Sequence, residues 1–171
     1  LGGAVYMNAG AYDGTMAGIV QETEFVDGEG NICTLKGDEH GFDYRTSVFR
    51  KHPDWTALRS TMQLQNGDSA AILDKMNDFA QRRRDKQPLN FPSAGSTFKR
   101  PVGHFAGQLI EQAGLKGTSV GAAQVSEKHA GFLINRGGAT CDDMLRLIEL
   151  VQNRVREQFG VELECEVRIV K

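Results

Sequence analysis

No stretch of the 171 residues approaches the ~20 consecutive apolar residues that a membrane-spanning helix needs, and no cleavable secretory leader is visible. An excess of one charge is missing too. The 20 basic and 22 acidic side chains leave a formal charge of -2, without the positive footprint of a nucleic-acid binder. Cysteine is scarce: Cys33, Cys141 and Cys165 are odd in number and far apart, and fit neither a zinc spacing nor a disulfide framework. They read as reduced thiols in a cytoplasmic protein, with Cys165 buried and no metal site. There is no internal repeat and no low-complexity segment. Proline is rare, and three of its four occurrences fall in one stretch, KQPLNFPSAGSTFKRP. What remains is an ordinary globular composition, 40% hydrophobic and 25% charged. A chain of this length can bury roughly two thirds of its unfolded surface. An initiator Met is also lacking, and the opening Leu1-Gly2-Gly3 reads as mid-motif, as in a fragment or a processed product.

Patterning gives the expected elements. Residues 1–14 are crowded with glycine and alanine, which lets the backbone approach another group closely. GIVQETEFV (18–26) and ICTLK (32–36) read as strands joined at the turn DGEGN. FDYRTSVFR (42–50) stays open between strand and loop. TALRSTMQLQ (56–65) reads as a strand with Leu58, Ser60, Met62 and Leu64 on one side. Ile72, Leu73, Met76, Phe79 and Ala80 then form a helical stripe, capped by Asp68 or Ser69 and ending before Pro88. A loop follows, then a short helix over 105–113 closed by Gly114, and a buried strand at HAGFLIN (129–135). Residues 141–159 form the clearest helix, with Thr140 and Asp143 as a capping box. Met144, Leu147, Ile148, Val151 and Val155 face its core, and Gly160 ends it. VELECEVRIV alternates and reads as a closing strand. Strands followed by mixed helices and strands make the fold class α+β, with a boundary near residues 85–92.

Five stretches can carry chemistry, though each has an ordinary structural reading as well. The glycine-rich opening could cradle a pyrophosphate on its N–H groups, or be a tight turn. It does not match G-x-G-x-x-G. Ser96, in Ser-Ala-Gly-Ser-Thr-Phe-Lys with Lys99 and Lys86 near in sequence, could donate a proton beside a cation, or sit in a plain turn. Arg45, after Tyr44, could hold a carboxylate bidentately, or be solvated. Glu166 and Arg168 lie two apart on one strand face, as an acid/base pair or a surface ion pair. Lys116 and the Ser126-Glu127-Lys128-His129 run suit phosphate binding, or a loop surface.

The segments GGAVYMNAGAY, FDYRTS, KQPLNFPSAGSTFK, LIEQAGLKG, GAAQVSEKHAGFLIN and GVELECEVR occur in this order and span nearly the whole chain. Their succession resembles the UDP-N-acetylenolpyruvoylglucosamine reductase family, in its form with the shorter substrate domain. The resemblance implies an FAD enzyme that takes its reducing equivalents from NADPH and reduces a UDP-sugar enol ether in peptidoglycan synthesis. It implies three catalytic residues. Arg45 would stabilise charge on the substrate carboxylate, Ser96 would protonate the intermediate, and Glu166 would polarise the carboxylate end. It implies FAD contacts from Gly2, Gly3, Ala4, Asn8, Ala9, Gly10 and Tyr12. Substrate contacts would come from Tyr44, Lys86, Lys99, Lys116, His129 and Arg168. Residues 1–86 would then be the second half of a flavin-binding unit, 87–159 a substrate-binding domain, and 160–171 a return strand carrying Glu166. A flavin-binding region would precede them. Two departures stand out: Asp13 where glycine often follows Ala-Tyr, and Arg100 where some relatives carry Asn. Partners follow as the UDP-sugar and NADPH, with no nucleic acid, no membrane and an undetermined oligomeric state. Two other readings stay open: a UDP-sugar-binding module without cofactor, and a paralogous FAD oxidoreductase with another substrate.

Overall fold

The computed structural model describes residues 1–169. It divides by compactness into two units, Leu1–Asp68 and Ser69 onward. Both mix helix with antiparallel sheet, as the α+β pattern requires.

In the first unit, helix α1 (Gly2–Tyr6) leads into a two-rung hairpin of β1 (Gly10–Ala11) and β2 (Gly14–Thr15). Strands β3 (Val20–Val26), β4 (Ile32–Lys36) and β5 (Thr56–Met62) form a sheet in the order β4-β3-β5. The β3–β4 turn is fixed by Asp27, whose Oδ1 accepts from the N–H groups of Glu29 and Asn31, with Gly30 at φ 89° closing it. Helix α2 (Val48–Lys51) lies in the stretch left open by the sequence. Val5, Met16, Val20, Phe25, Leu35 and Phe49 make the core, and Trp55 stacks on Phe25 at 4.4 Å. A hydrogen-bonded chain crosses the sheet: buried His40 bonds the Gly37 carbonyl at 2.8 Å and Thr23 Oγ1 at 2.9 Å, and Thr23 meets Ser60 at 2.9 Å.

The expected facing of β5 needs correction. Its pairing with β3 steps from Glu24↔Arg59 to Phe25↔Ala57, so Leu58 is an extra residue in a bulge. Ala57, Ser60 and Met62 turn inward, while Leu58 is 53% exposed and Leu64 lies beyond the strand. The strict two-residue period fails because the bulge consumes one residue.

The second unit begins with helix α3 (Ser69–Lys86), which stops two residues before Pro88. Grouped by compactness it belongs here, ahead of the boundary read near residues 85–92. None of its residues is buried: Ile72, Leu73 and Met76 are all about half exposed or more. Strands β6 (Ser93–Ser96), β7 (Ser119–Val120), β8 (Ala123–Val125) and β9 (Phe132–Asn135) form a sheet in the order β6-β9-β8-β7. β6 lies inside the expected loop. Helices α4 (Ala106–Gln112) and α5 (Cys141–Phe159) complete the unit. Leu147, Val151 and Val155 of α5 are fully buried, with Met144 and Ile148 beside them. Thr140 and Asp143 cap each other's backbone N–H, and Gly160 takes φ 68° at the far end.

The closing strand is a second correction. Residues 161–169 form no ladder. Cys165 makes an isolated bridge to Phe98, flanked by Lys99 N–H to the Glu164 carbonyl and Glu166 N–H to the Thr97 carbonyl, both 2.8 Å. The carbonyl of Leu163 accepts a hydrogen bond from the Gln152 side chain at 2.7 Å. Val170 and Lys171 of the expected strand lie outside the described residues. No described helix is long and apolar enough to cross a membrane.

Candidate functional site

Two clusters gather the chemistry-bearing residues, one in each unit. In the first, Ala11 pairs with Gly14 across a two-residue turn of Tyr12 (φ 49°) and Asp13 (φ 68°). Positive φ at both central residues is the type I′ signature, which Asn-Gly fills most readily. Asn8 (φ 43°) and Arg45 (φ 54°) are the other non-glycine residues with positive φ among those described. All four therefore fall in the two motifs singled out as functional. Left-handed conformations at non-glycine residues cost energy and collect where function over-determines them.

Arg45 is brought to the glycine-rich segment. A β-carbon on Gly10 would lie 3.9 Å from Arg45 Nη1, and the guanidinium sits 5.4 Å from the Tyr44 ring centroid. Gly2, Gly3 and the hairpin tip at Tyr12 are exposed, and a β-carbon at Gly2 or Gly3 would meet nothing within 4 Å. Ala4 is half-buried and Ala9 is exposed. Asn8 is different. It is buried, its Nδ2 donates to the Asp43 carbonyl at 3.1 Å, and its Oδ1 accepts from Ala17 N–H at 2.9 Å. Its side chain is committed to the fold. The open backbone at Gly2 and Gly3, on the segment that Arg45 meets at Gly10, suits an anionic group held through N–H donors, such as the diphosphate of FAD.

In the second unit, β6 ends at Ser96, which is exposed and faces Phe132 of β9 across the ladder. The next residue, Thr97, accepts the Glu166 N–H, so the segments carrying Ser96 and Glu166 run side by side although seventy positions separate them. Lys99 is ion-paired with Glu164 on the same two segments. Arg168 is exposed. Lys116 pairs with Glu111 at 2.8 Å and lies near His129. Burial pushes the His129 pKa below its usual value, and the Lys116 charge lowers it further. Its Nδ1 accepts from Gly131 N–H at 3.1 Å, and its ring meets Phe132 edge-on at 4.9 Å. Lys86 is exposed at the end of α3, on a separate element from Lys99.

Ser47 was not singled out. It is fully buried and donates to the Tyr6 carbonyl at 2.7 Å. Its place two residues after Arg45 was visible, but a serine alone gives no sign of burial.

By class this is an α+β protein of antiparallel sheets, and the proteins it resembles are reductases. Residues 87–170 match the family model described as UDP-N-acetylenolpyruvoylglucosamine reductase, C-terminal domain. The chain is 52% identical over 170 residues to the UDP-N-acetylenolpyruvoylglucosamine reductases of Clostridium perfringens and Caldanaerobacter subterraneus subsp. tengcongensis. Those alignments cover 99% of this chain and 56% of each relative, so the chain spans about half their length. The crystal structure of the Thermus caldophilus UDP-N-acetylenolpyruvylglucosamine reductase superposes with a TM-score of 0.80 at 36% identity, covering 98% of this chain and 60% of that one. The chain belongs to the UDP-N-acetylenolpyruvoylglucosamine reductase family.

Proposed function

We propose that this chain forms part of an enzyme reducing UDP-N-acetylglucosamine enolpyruvate to UDP-N-acetylmuramate, a cytoplasmic step of peptidoglycan synthesis. The observation that supports this reading is the hydrogen bond from Glu166 N–H to the Thr97 carbonyl, which runs the segment carrying the proposed proton donor Ser96 alongside the segment carrying Glu166. When bound, FAD would supply hydride chemistry at C3 of the enolpyruvyl group, with NADPH as the source of reducing equivalents. The chain's own residues supply the rest. Adding hydride at C3 leaves an electron pair at C2 that is delocalised onto the carboxylate. Arg45 holds that carboxylate and stabilises the growing charge, an electrostatic role that strengthens where water is excluded. Ser96 gives its hydroxyl proton to C2, completing the lactyl ether. Serine is a weak acid, but the carbanion is a strong base and can take that proton.

Flavin contacts would come from the backbone of Gly2, Gly3, Ala4, Ala9, Gly10 and Tyr12, with Asn8 acting through its fold-holding bonds. Lys86, Lys99, Lys116, His129, Tyr44 and Arg168 would serve the UDP-sugar. On this reading residues 1–86 are flavin-binding and 87–159 substrate-binding. The test is spectroscopic. The enzyme containing these residues should be yellow, bleach with NADPH and recover colour with the enol ether. A colourless protein that binds the UDP-sugar calorimetrically would point to a binding module instead. Bleaching without recovery would point to a different substrate.

A further inference from the structure

The turn that carries Arg45 is tied at both ends to the glycine-rich segment. Asp43 and Thr46 exchange backbone hydrogen bonds of 3.3 and 3.2 Å, closing a tight loop with Arg45 at φ 54°. Ahead of Arg45, the Asn8 amide donates to the Asp43 carbonyl. Behind it, the Ser47 hydroxyl donates to the Tyr6 carbonyl. Asn8 is itself held, since its Oδ1 accepts from Ala17 N–H. Both ties are buried or partly buried, so water replaces them poorly. Both act on backbone, and neither takes up the guanidinium.

A left-handed arginine needs such bracing. Released from it, Arg45 relaxes toward negative φ, and rotation about the backbone swings the long side chain away from the hairpin. We infer that Asn8 and Ser47 are positioning residues for Arg45, a clamp that fixes its guanidinium where the substrate carboxylate is to be held. This rests on the proposed role of Arg45. It gives Asn8 a task other than direct cofactor contact, and gives Ser47 a task where none was assigned.

The experiment is a double-mutant cycle in the whole enzyme. Asn8→Gly removes the amide but tolerates positive φ, and Ser47→Ala removes the hydroxyl with little change in volume. Each should lower turnover of the enol ether by about tenfold to a hundredfold, the cost of misplacing a catalytic group by about 1 Å. Flavin reduction by NADPH should hold its rate in Ser47→Ala. In an Arg45→Ala background neither change should lower turnover further, because a clamp acts only through the residue it holds. Calorimetric affinity for the product carboxylate should show the same non-additivity. Ser47→Thr, which keeps the hydroxyl, should restore most of the loss. Losses that multiply in the Arg45→Ala background would mean a general structural role and overturn the clamp. So would wild-type turnover in both clamp variants beside an inactive Arg45→Ala. Wild-type turnover in Arg45→Ala would instead remove the reading of Arg45, and the clamp with it. If Ser47→Ala fails to fold, Asn8→Gly carries the same comparison.

Discussion

Arg45 Nη1 lies 3.9 Å from the point a β-carbon on Gly10 would occupy. That β-carbon would also stand 3.1 Å from Thr15 Cγ2 and 3.3 Å from the Gly14 carbonyl, closer than a backbone oxygen yields easily. Gly10 therefore lets the hairpin and the guanidinium share one edge. Gly10→Val should destabilise the first unit by about 1–3 kcal/mol, the usual cost of forcing volume into a filled space. The single tryptophan, Trp55, is stacked in that unit's core, so its fluorescence in urea reads the change. An unchanged midpoint would mean the edge is looser than its distances imply.

Asp13 offers a stabilising change. It takes φ 68° in the turn where the family resemblance expects glycine. A left-handed conformation costs an ordinary L-residue about 1–2 kcal/mol, whereas glycine adopts it freely but loses about 0.5–1 kcal/mol more chain entropy on folding. Aspartate tolerates that region better than most L-residues, so Asp13→Gly should raise stability by at most about 1 kcal/mol. The gain should appear as a higher Trp55 unfolding midpoint with an unchanged slope.

The sequence made some of this architecture plain and hid the rest for definite reasons. α5 was legible because its period, its Thr140–Asp143 cap and its Gly160 stop all agree. The β3–β4 hairpin was legible from Asp27 to Asn31, since those residues can do little but turn. β5 was misread at Leu58 because a bulge leaves no mark on composition. β6 was hidden in a proline-rich stretch, where its pairing with β9 depends on a partner nearly forty residues on. β7 and β8 are two and three residues long, too short for an alternating pattern to stand out. The candidate site divides similarly. Arg45, Ser96 and Glu166 stood out through resemblance, and the backbone pairing at Thr97 brings together the segments that carry Ser96 and Glu166. Nothing in the residues themselves announced that Ser47 would be buried or that Asn8 would spend its amide on the fold.

His129 makes a pH-dependent contribution whose sign is fixed. Burial holds its folded pKa below the unfolded value of about 6.5. Between those two values the unfolded chain binds the proton more readily, so stability falls as pH drops through about 6.5 and levels off below the folded pKa. The second unit should therefore lose more stability between pH 7.5 and 5.5 than the same protein with His129→Gln. Unfolding followed by α-helical circular dichroism at the two pH values measures the difference. Equal losses in both proteins would show that His129 stays solvated. A phosphate beside the ring would act oppositely. If His129 serves the UDP-sugar, its pKa should rise on ligand binding, which an NMR titration of its ring protons would detect.

Ser96 provides the sharpest division between the two half-reactions. Flavin reduction by NADPH moves no proton through Ser96 on this reading, so Ser96→Ala should leave the rate of bleaching unchanged. Recovery of colour with the enol ether should slow by about 10²–10⁴, the range that a positioned proton donor contributes. The hydroxyl is exposed at the end of β6, and alanine suits a strand end, so stability should change little. Rapid mixing resolves the two phases separately. A fall of equal size in both would mean that the substitution disturbs the fold or the flavin edge rather than the proton. No fall in either would leave the proton to a donor other than Ser96.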